Sequence, residues 1–484
     1  MAPRDFLGPV PSIAGLLLLT SCAAGNSPHA PAPPASPRLE ATLLVSGPGA
    51  AEPVPAPVHP AEARAASFEV FPALKRQAIA GFGGAFSEKG WEALRPLVPE
   101  ERKEVLRRIF APGEGLSLGF GRLPVGSTDY SLSRYALAES PGDLRMERFS
   151  IARDEQALIP YVRAAQALNP GLRFFASAFS PPPWMKDNRA FDSGRMRDDP
   201  ALYGAYALYL AKFVEAYRTL GIPVEAIAVQ NEPYAETHYP SCRWEPAQFR
   251  TFVRDHLGPT LARRNTGAKV MLGTFNAPEE EAHALAVLQD PSARPFVVAL
   301  GVQWDGLPIA GPARRIVPGL PVWHTEGDCG NHAWERGFDP ERPQNDFAYA
   351  LETWRRVRRY LYGGAEVYTI RNIVLDETGK SIDAERPWPQ NSAVVVDKKT
   401  RKVTYTPMFH ALEQFSRFAG PGAVLLEGSG TNDALGFLRP DGTIAVELVN
   451  PGDVERTMRV KIGGRAWDAL LPARSFGTLI VPGA

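Results

Sequence analysis

Between Pro99 and Phe418 the chain repeats one pattern: apolar runs of strand length alternate with longer stretches whose apolar residues recur at helical spacing. Strands are expected at Leu172–Ser177, Val224–Val229, Lys269–Leu272, Val297–Trp304, Leu320–Thr325 and Ala365–Ile370. Helices are expected at Pro99–Phe110, Ala201–Leu220, Pro246–Arg264, Glu279–Leu288, Asn345–Leu361 and Met408–Phe418. Such alternation argues for parallel β/α units, because two parallel strands need a crossover long enough to hold a helix. The count and span suit a closed (β/α)8 TIM barrel of the α/β class better than an open sheet. Gly81-Phe82-Gly83-Gly84 lacks the spacing of a dinucleotide fingerprint.

A closed barrel does its chemistry at the C-terminal tips of its strands. Two of the expected strands end there on a carboxylate. Glu232 closes Ala228-Val-Gln-Asn-Glu-Pro233, and Glu326 closes Pro321-Val-Trp-His-Thr-Glu-Gly327; Pro233 and Gly327 each stop the strand. Two carboxylates on different strands of one face are what cleavage of a glycosidic bond requires. Taken singly, Asn-Glu-Pro is an ordinary strand-ending turn, and Glu326 could be an ion-pair partner. Tyr203, Tyr206, Tyr209, Leu210, Phe213 and Tyr217 share one helical stripe, which reads as core rather than as a binding surface.

Lys+Arg and Asp+Glu balance at 53 each, so there is no cationic surplus for phosphate backbones and nucleic acid is not an expected partner. Neither CxxC nor HExxH spacing occurs, and no metal or other cofactor is expected.

Residues 1–22 read as a lipoprotein signal: Arg4 gives a positive start, Ile13 to Leu19 an apolar stretch too short to span a bilayer, and Leu19-Thr20-Ser21-Cys22 a lipobox. Lipidated Cys22 would be the only membrane attachment. The expected location is the bacterial cell envelope, exported and lipid-anchored. Residues 23–64 are rich in Ala and Pro and are expected to stay extended as a linker. Residues 65–80 supply an N-terminal strand near Phe68, residues 81–420 the barrel, and residues 421–484 an all-β sandwich that recruits that strand. Pro440-Asp441-Gly442 marks a hairpin in the sandwich. Cys242 and Cys329 follow the two glutamates closely; an exported compartment permits a disulfide between them, and the spacing leaves paired and free thiols equally open.

Several motifs then occur in order: Gly81-Phe-Gly-Gly-Ala-Phe86, Arg122-Leu-Pro-Val-Gly-Ser127, Ser180-Pro-Pro-Pro-Trp-Met-Lys186, Asn231-Glu-Pro233, Gln303-Trp304, Glu326 and Pro407-Met-Phe-His410. In this set the chain resembles glycoside hydrolase family 30, the glucosylceramidase-like family, from about Gly81 to the C-terminus. The resemblance implies a (β/α)8 barrel with a β-sandwich built from both ends of the domain. It implies a retaining β-glycosidase in which Glu232, after the fourth strand, is the general acid/base and Glu326, after the seventh, is the nucleophile. It places Arg122 beneath the nucleophile and gives Asn231 the sugar 2-hydroxyl. Trp184, Trp304 and Trp388 would be aromatic walls, Asn391 a substrate contact and Glu88 a holder of sugar hydroxyls.

The implied partner is an oligosaccharide, polysaccharide or glycolipid, with a β-glucoside or β-glucan leading. Endo-β-1,6-glucanase, β-xylosidase or β-fucosidase activity is the alternative within the family, and a non-catalytic carbohydrate-binding surface lipoprotein the alternative outside it. Three departures bear on specificity. Asp305 stands where glucosylceramidases carry a tyrosine that contacts the nucleophile, and Gln303 replaces their histidine. Arg371 stands where the family carries a tryptophan under the sugar, which opens the site to an acidic or modified sugar; a shift of one or two residues would bring in Tyr368 instead. His324 is expected to pack rather than to react.

Overall fold

A computed structural model describes residues 40–47, 52–330, 332, 337–385 and 388–483 of the chain. The segment 1–22 with Cys22, and the first part of the Ala/Pro-rich stretch, lie outside the described residues.

Eight parallel strands close a barrel: β1 Gly81–Ala85, β2 Phe120–Val125, β3 Arg173–Ala178, β4 Val224–Ala228, β5 Lys269–Phe275, β6 Val297–Val302, β7 Val322–His324 and β8 Ala365–Ile370. β8 pairs with β1 in parallel register, Val367 opposite Gly81 and Ile370 opposite Gly84. One apolar cluster plugs the barrel, drawing Phe120, Phe175, Ala226, Ala228, Met271, Ala299, Trp323 and Val367 from seven strands. Trp323 meets Phe120 at 5.7 Å and Phe175 at 5.8 Å between ring centroids, and small Ala226, Ala228 and Ala299 share the cluster with these large rings.

Local chemistry explains the helices around this barrel. Pro200–Thr219 begins where Asp199 accepts from the Ala201 N–H at 2.9 Å, with Pro200 at a position where no N–H is needed. Its tyrosine and phenylalanine stripe is buried throughout. The helix expected over Pro246–Arg264 runs to Arg263 through a π-helical stretch at Phe252–Leu257.

A second, largely antiparallel sheet holds ten strands in the order Val54–Ala56, Thr42–Ser46, Ser475–Val481, Ile444–Asn450, Ala434–Leu438, Val424–Gly430, Phe68–Ala78, Arg456–Ile462, Arg465–Leu471, Val58–Ala61. Strands from both ends of this order bury side chains in one cluster, among them Leu43, Val446, Val460 and Trp467. Three of the ten strands correct the expected extent of the linker, which was to run to residue 64. Thr42-Leu-Leu-Val-Ser46 puts Leu43 and Val45 on one face, and pairing with Ser475–Val481 buries both. Ser46 also accepts from Gln414 Nε2 at 2.8 Å, which ties the sheet to the last barrel helix.

Candidate active site

Residues two apart on a strand share a face. Phe120 faces the barrel interior, so Arg122 does too, one layer nearer the C-terminal mouth. The same step carries Phe175 to Ser177, Trp323 to Thr325, and Val367 through Thr369 to Arg371. The layer above the apolar plug is therefore polar and buried, and Arg122 organises it. Its Nη2 donates to Asn231 Oδ1 at 2.6 Å and to Ser177 Oγ at 2.8 Å. Its Nη1 donates to Glu326 Oε2 at 2.5 Å, to the Thr325 carbonyl at 3.1 Å and to Gln303 Oε1 at 3.3 Å.

Gln303 links the two carboxylates. Its Nε2 donates to Glu232 Oε1 at 2.9 Å, while its Oε1 also accepts from Thr325 Oγ1 at 2.9 Å, which fixes the amide's orientation. Asn231 Oδ1 accepts from Thr274 Oγ1 at 2.8 Å as well as from Arg122, so its Nδ2 is the end left to donate. Glu232 and Trp304 have left-handed backbones, φ 48° and 49°. Such a conformation costs a non-glycine residue on the order of 1 kcal/mol or more and is typical of sites where geometry is imposed by surrounding structure.

The carboxyl groups sit in different surroundings. Glu326 receives a guanidinium, whereas Glu232 receives a neutral amide. Burial, then the charges of Glu326 and Glu280, push Glu232 up to about 8 against the opposing pull of Gln303 and Arg122. A carboxyl group that keeps its proton at neutral pH, set beside one held by a cation, can serve as an acid. Both groups line one cavity of about 460 Å³, together with Asp129, Tyr239, Trp304, Trp388 and other residues.

Of the residues singled out in the sequence, Glu232, Glu326, Arg122, Asn231, Gln303, Trp304 and Trp388 converge here. Trp304 and Trp388 flank His332, at 5.3 Å and 4.7 Å between centroids. Glu88 lies elsewhere: it is buried, ion-paired with Arg153 at 2.9 Å, and accepts from the Leu132 N–H at 2.8 Å. Trp184 lines another cavity, with Arg134, Leu144 and Phe191, because its indole N–H is held by the Ala138 carbonyl at 2.9 Å. Asn391 braces the loop after Glu326: its N–H donates to the Cys329 carbonyl and its Oδ1 accepts from the Asn345 N–H, both at 2.8 Å.

Asp305 points out at the cavity rim and faces Arg359 at 3.5 Å. Tyr368 stays outside the polar layer, its ring stacked on buried His324 at 4.0 Å and its hydroxyl donating to Asp328 at 2.7 Å, so Arg371 holds the position in question. Cys242 and Cys329 are free buried thiols.

Three residues of the site carried no signal in the sequence. Asp129 enters through the loop after β2. Tyr239 arrives on the loop after Glu232, its phenol pushed well above 10 by burial and by Glu232, Asp129 and Glu326. Buried Glu280, pushed up to about 7 mainly by burial, accepts from the backbone N–H groups of Tyr234, Asn276 and Ala277 and so anchors the loop that carries Glu232.

Paired carboxylates after β4 and β7, at the mouth of a closed (β/α)8 barrel, are an arrangement that serves glycosidic bond cleavage. The family model "Glycosyl hydrolase family 30 TIM-barrel domain" matches residues 79–419, and the chain belongs to that family. It is 28% identical over 408 residues to lysosomal acid glucosylceramidase of Mus musculus, covering 78% of this chain and 76% of the relative. It is 23% identical over 442 residues to the endo-1,6-beta-D-glucanase neg1 of Aspergillus fumigatus, covering 84% and 86%. The crystal structure of SrfJ from Salmonella typhimurium superposes with a TM-score of 0.81 at 23% identity, over 92% of this chain and 100% of that one.

Proposed function

We propose that this family 30 hydrolase is a retaining β-glycosidase that acts on a β-glucoside or β-glucan by double displacement. Glu326 attacks the anomeric carbon while Glu232 gives its proton to the leaving oxygen. Glu232, now ionised, takes a proton from the water that attacks the glycosyl-enzyme, and the Glu326 carboxylate leaves. The observation that carries this reading is the unequal pair across one cavity: Glu326 held by Arg122 at 2.5 Å, and Glu232 bonded through its side chain to the Gln303 amide at 2.9 Å and pushed up to about 8. The names of the relatives favour glucosylceramide-like or β-1,6-glucan substrates. Export with a lipidated Cys22 is part of the same proposal, and loss of fatty-acid labelling in Cys22→Ser is its check.

Hydrolysis of a panel of aryl β-glycosides and β-glucans tests the activity. Turnover is expected on at least one β-glycoside, with Glu326→Gln and Glu232→Gln each slower by about 10³-fold or more. Turnover that survives Glu326→Gln refutes the assigned nucleophile. Saturable sugar binding without turnover on any member of the panel would make the protein a carbohydrate binder.

A further inference from the structure

Arg371 follows β8 directly, and its N–H donates to the Gly327 carbonyl at 2.9 Å, next to Glu326. Its side chain is buried. Nη2 is ion-paired with Asp129 Oδ1, and Nε lies 3.7 Å from Glu326 Oε1. Arg122 meets the other oxygen, Oε2, at 2.5 Å. Each oxygen of Glu326 is thus faced by a different guanidinium. Both guanidiniums stand over the Phe179 ring at 5.3 Å, and Arg371 also stands over Tyr130 at 5.4 Å, contacts that favour a cation where water is scarce. Asp129 lines the cavity and Arg371 does not, so the wall presented to a sugar is the carboxylate with the guanidinium behind it.

We propose that Arg371 is a positioning residue that keeps Asp129 and Glu326 ionised together, so that Glu326 stays nucleophilic while Asp129 offers a fixed acceptor to neutral sugar hydroxyls. The proposal rests on the retaining reading and deepens it. Two carboxylates crowded into a dry site compete for one proton unless a cation intervenes. Arg371 is that cation, and its charge is spent on the pair. A uronate or sulfated sugar would meet the Asp129 carboxylate, so the arginine does not select anionic substrates.

Other groups bear on the pair. Glu232 and Tyr239 face it from the loop after β4, Cys329 from the loop after Glu326, and Tyr130 from beside Asp129; burial favours the uncharged form of all four through neutral pH. Asp328 is occupied by Arg356 at 3.0 Å, and Lys89 is bonded to the Lys380 carbonyl at 2.5 Å. Asp383 lines the same cavity and accepts from the Glu385 N–H at 2.9 Å. Burial raises Asp129 above the ordinary carboxylate range, and the Arg371 guanidinium is the largest pull against it.

The test compares wild type, Arg371→Met, Arg371→Lys and the double variant Arg371→Met/Asp129→Asn. Two quantities are followed against pH: kcat/KM on an aryl β-glycoside, and the ¹³C carboxyl shift of Glu326 in the free protein, assigned with Glu326→Gln. In Arg371→Met the acid limb and the carboxyl midpoint are expected to rise by about one pH unit or more. Arg371→Lys should stay near wild type, and the double variant should return toward wild type although its kcat/KM is low. An unmoved midpoint in Arg371→Met that melts cooperatively overturns the proposal. Should that variant not fold, Arg371→Gln carries the same expectation. Wild type without turnover but with the expected carboxyl shifts would refute the hydrolase reading alone; an active enzyme with unmoved midpoints would refute the role of Arg371 alone.

Discussion

Gln303 Nε2 lies 2.9 Å from Glu232 Oε1, and the same amide accepts from the guanidinium that holds Glu326. A donor to a carboxylate stabilises its charged form, so Gln303 restrains the upward shift that burial imposes on Glu232. Gln303→Leu is therefore expected to move the basic limb of kcat/KM further alkaline, by up to about one pH unit. A pH profile measured to pH 10 checks it, and a shift toward acid would contradict the assigned hydrogen bond.

Glu232 also predicts a pH-dependent stability. Its folded value of about 8 lies above the ordinary 4.5, so between those values the native state binds a proton that the unfolded state does not. Stability is then lost as pH rises through that window. Glu232→Gln is neutral throughout and escapes the loss. Its melting temperature should exceed that of wild type by a margin that grows from pH 4.5 to pH 8. A constant margin would mean that the carboxyl group titrates normally.

Glu88 should matter to folding rather than to sugar. It is buried against Arg153 and the Leu132 N–H, away from the cavity that holds the glutamates. Glu88→Ala leaves a half-exposed guanidinium and a backbone donor without their acceptor, a cost of about 1–3 kcal/mol. Chemical denaturation should register that loss, with kcat/KM changed by less than about threefold.

The strand Thr42–Ser46 yields a truncation test. A chain beginning at Glu40 keeps the strand; one beginning at Glu52 loses the buried Leu43 and Val45 and the Ser46–Gln414 bond. The shorter chain should be less stable by ~3 kcal/mol or more, and equal stability of the two would show that the strand is not needed.

The sequence reading and the structure part where side-chain size and packing, rather than local pattern, decide. Gly81-Phe-Gly-Gly-Ala85 carries little strand signal because glycine weakens a strand. It is β1, and the glycines are required: a Cβ on Gly83 would stand 2.6 Å from the Phe120 carbonyl, and one on Gly84 would stand 2.2 Å from Ile373. β2 hides behind Arg122 and Pro124, residues that do not advertise a buried strand. The Ala/Pro-rich stretch reads as linker because three or four residues of an edge strand carry too little pattern to stand out. The two glutamates were legible because each follows a short apolar run and precedes a strand-breaking residue, Pro233 or Gly327, although the strands themselves stop earlier, at Ala228 and His324. Trp184 lines a cavity other than that of the glutamates, its indole turned by the Ala138 carbonyl of a loop that the residues around Trp184 do not reveal. Arg371 stood out as unusual, but Asp129, the partner that explains it, lies 242 residues away in the chain.

The account turns on Glu326 as the group that bonds to the sugar, and trapping tests this most directly. The enzyme is incubated with an activated 2-deoxy-2-fluoro-β-glucoside, digested, and the labelled peptide sequenced by mass spectrometry. A single adduct on Glu326, absent in Glu326→Gln, is expected. A label on any other residue, or none in an enzyme that turns over β-glucosides and releases the α-anomer first, would contradict it.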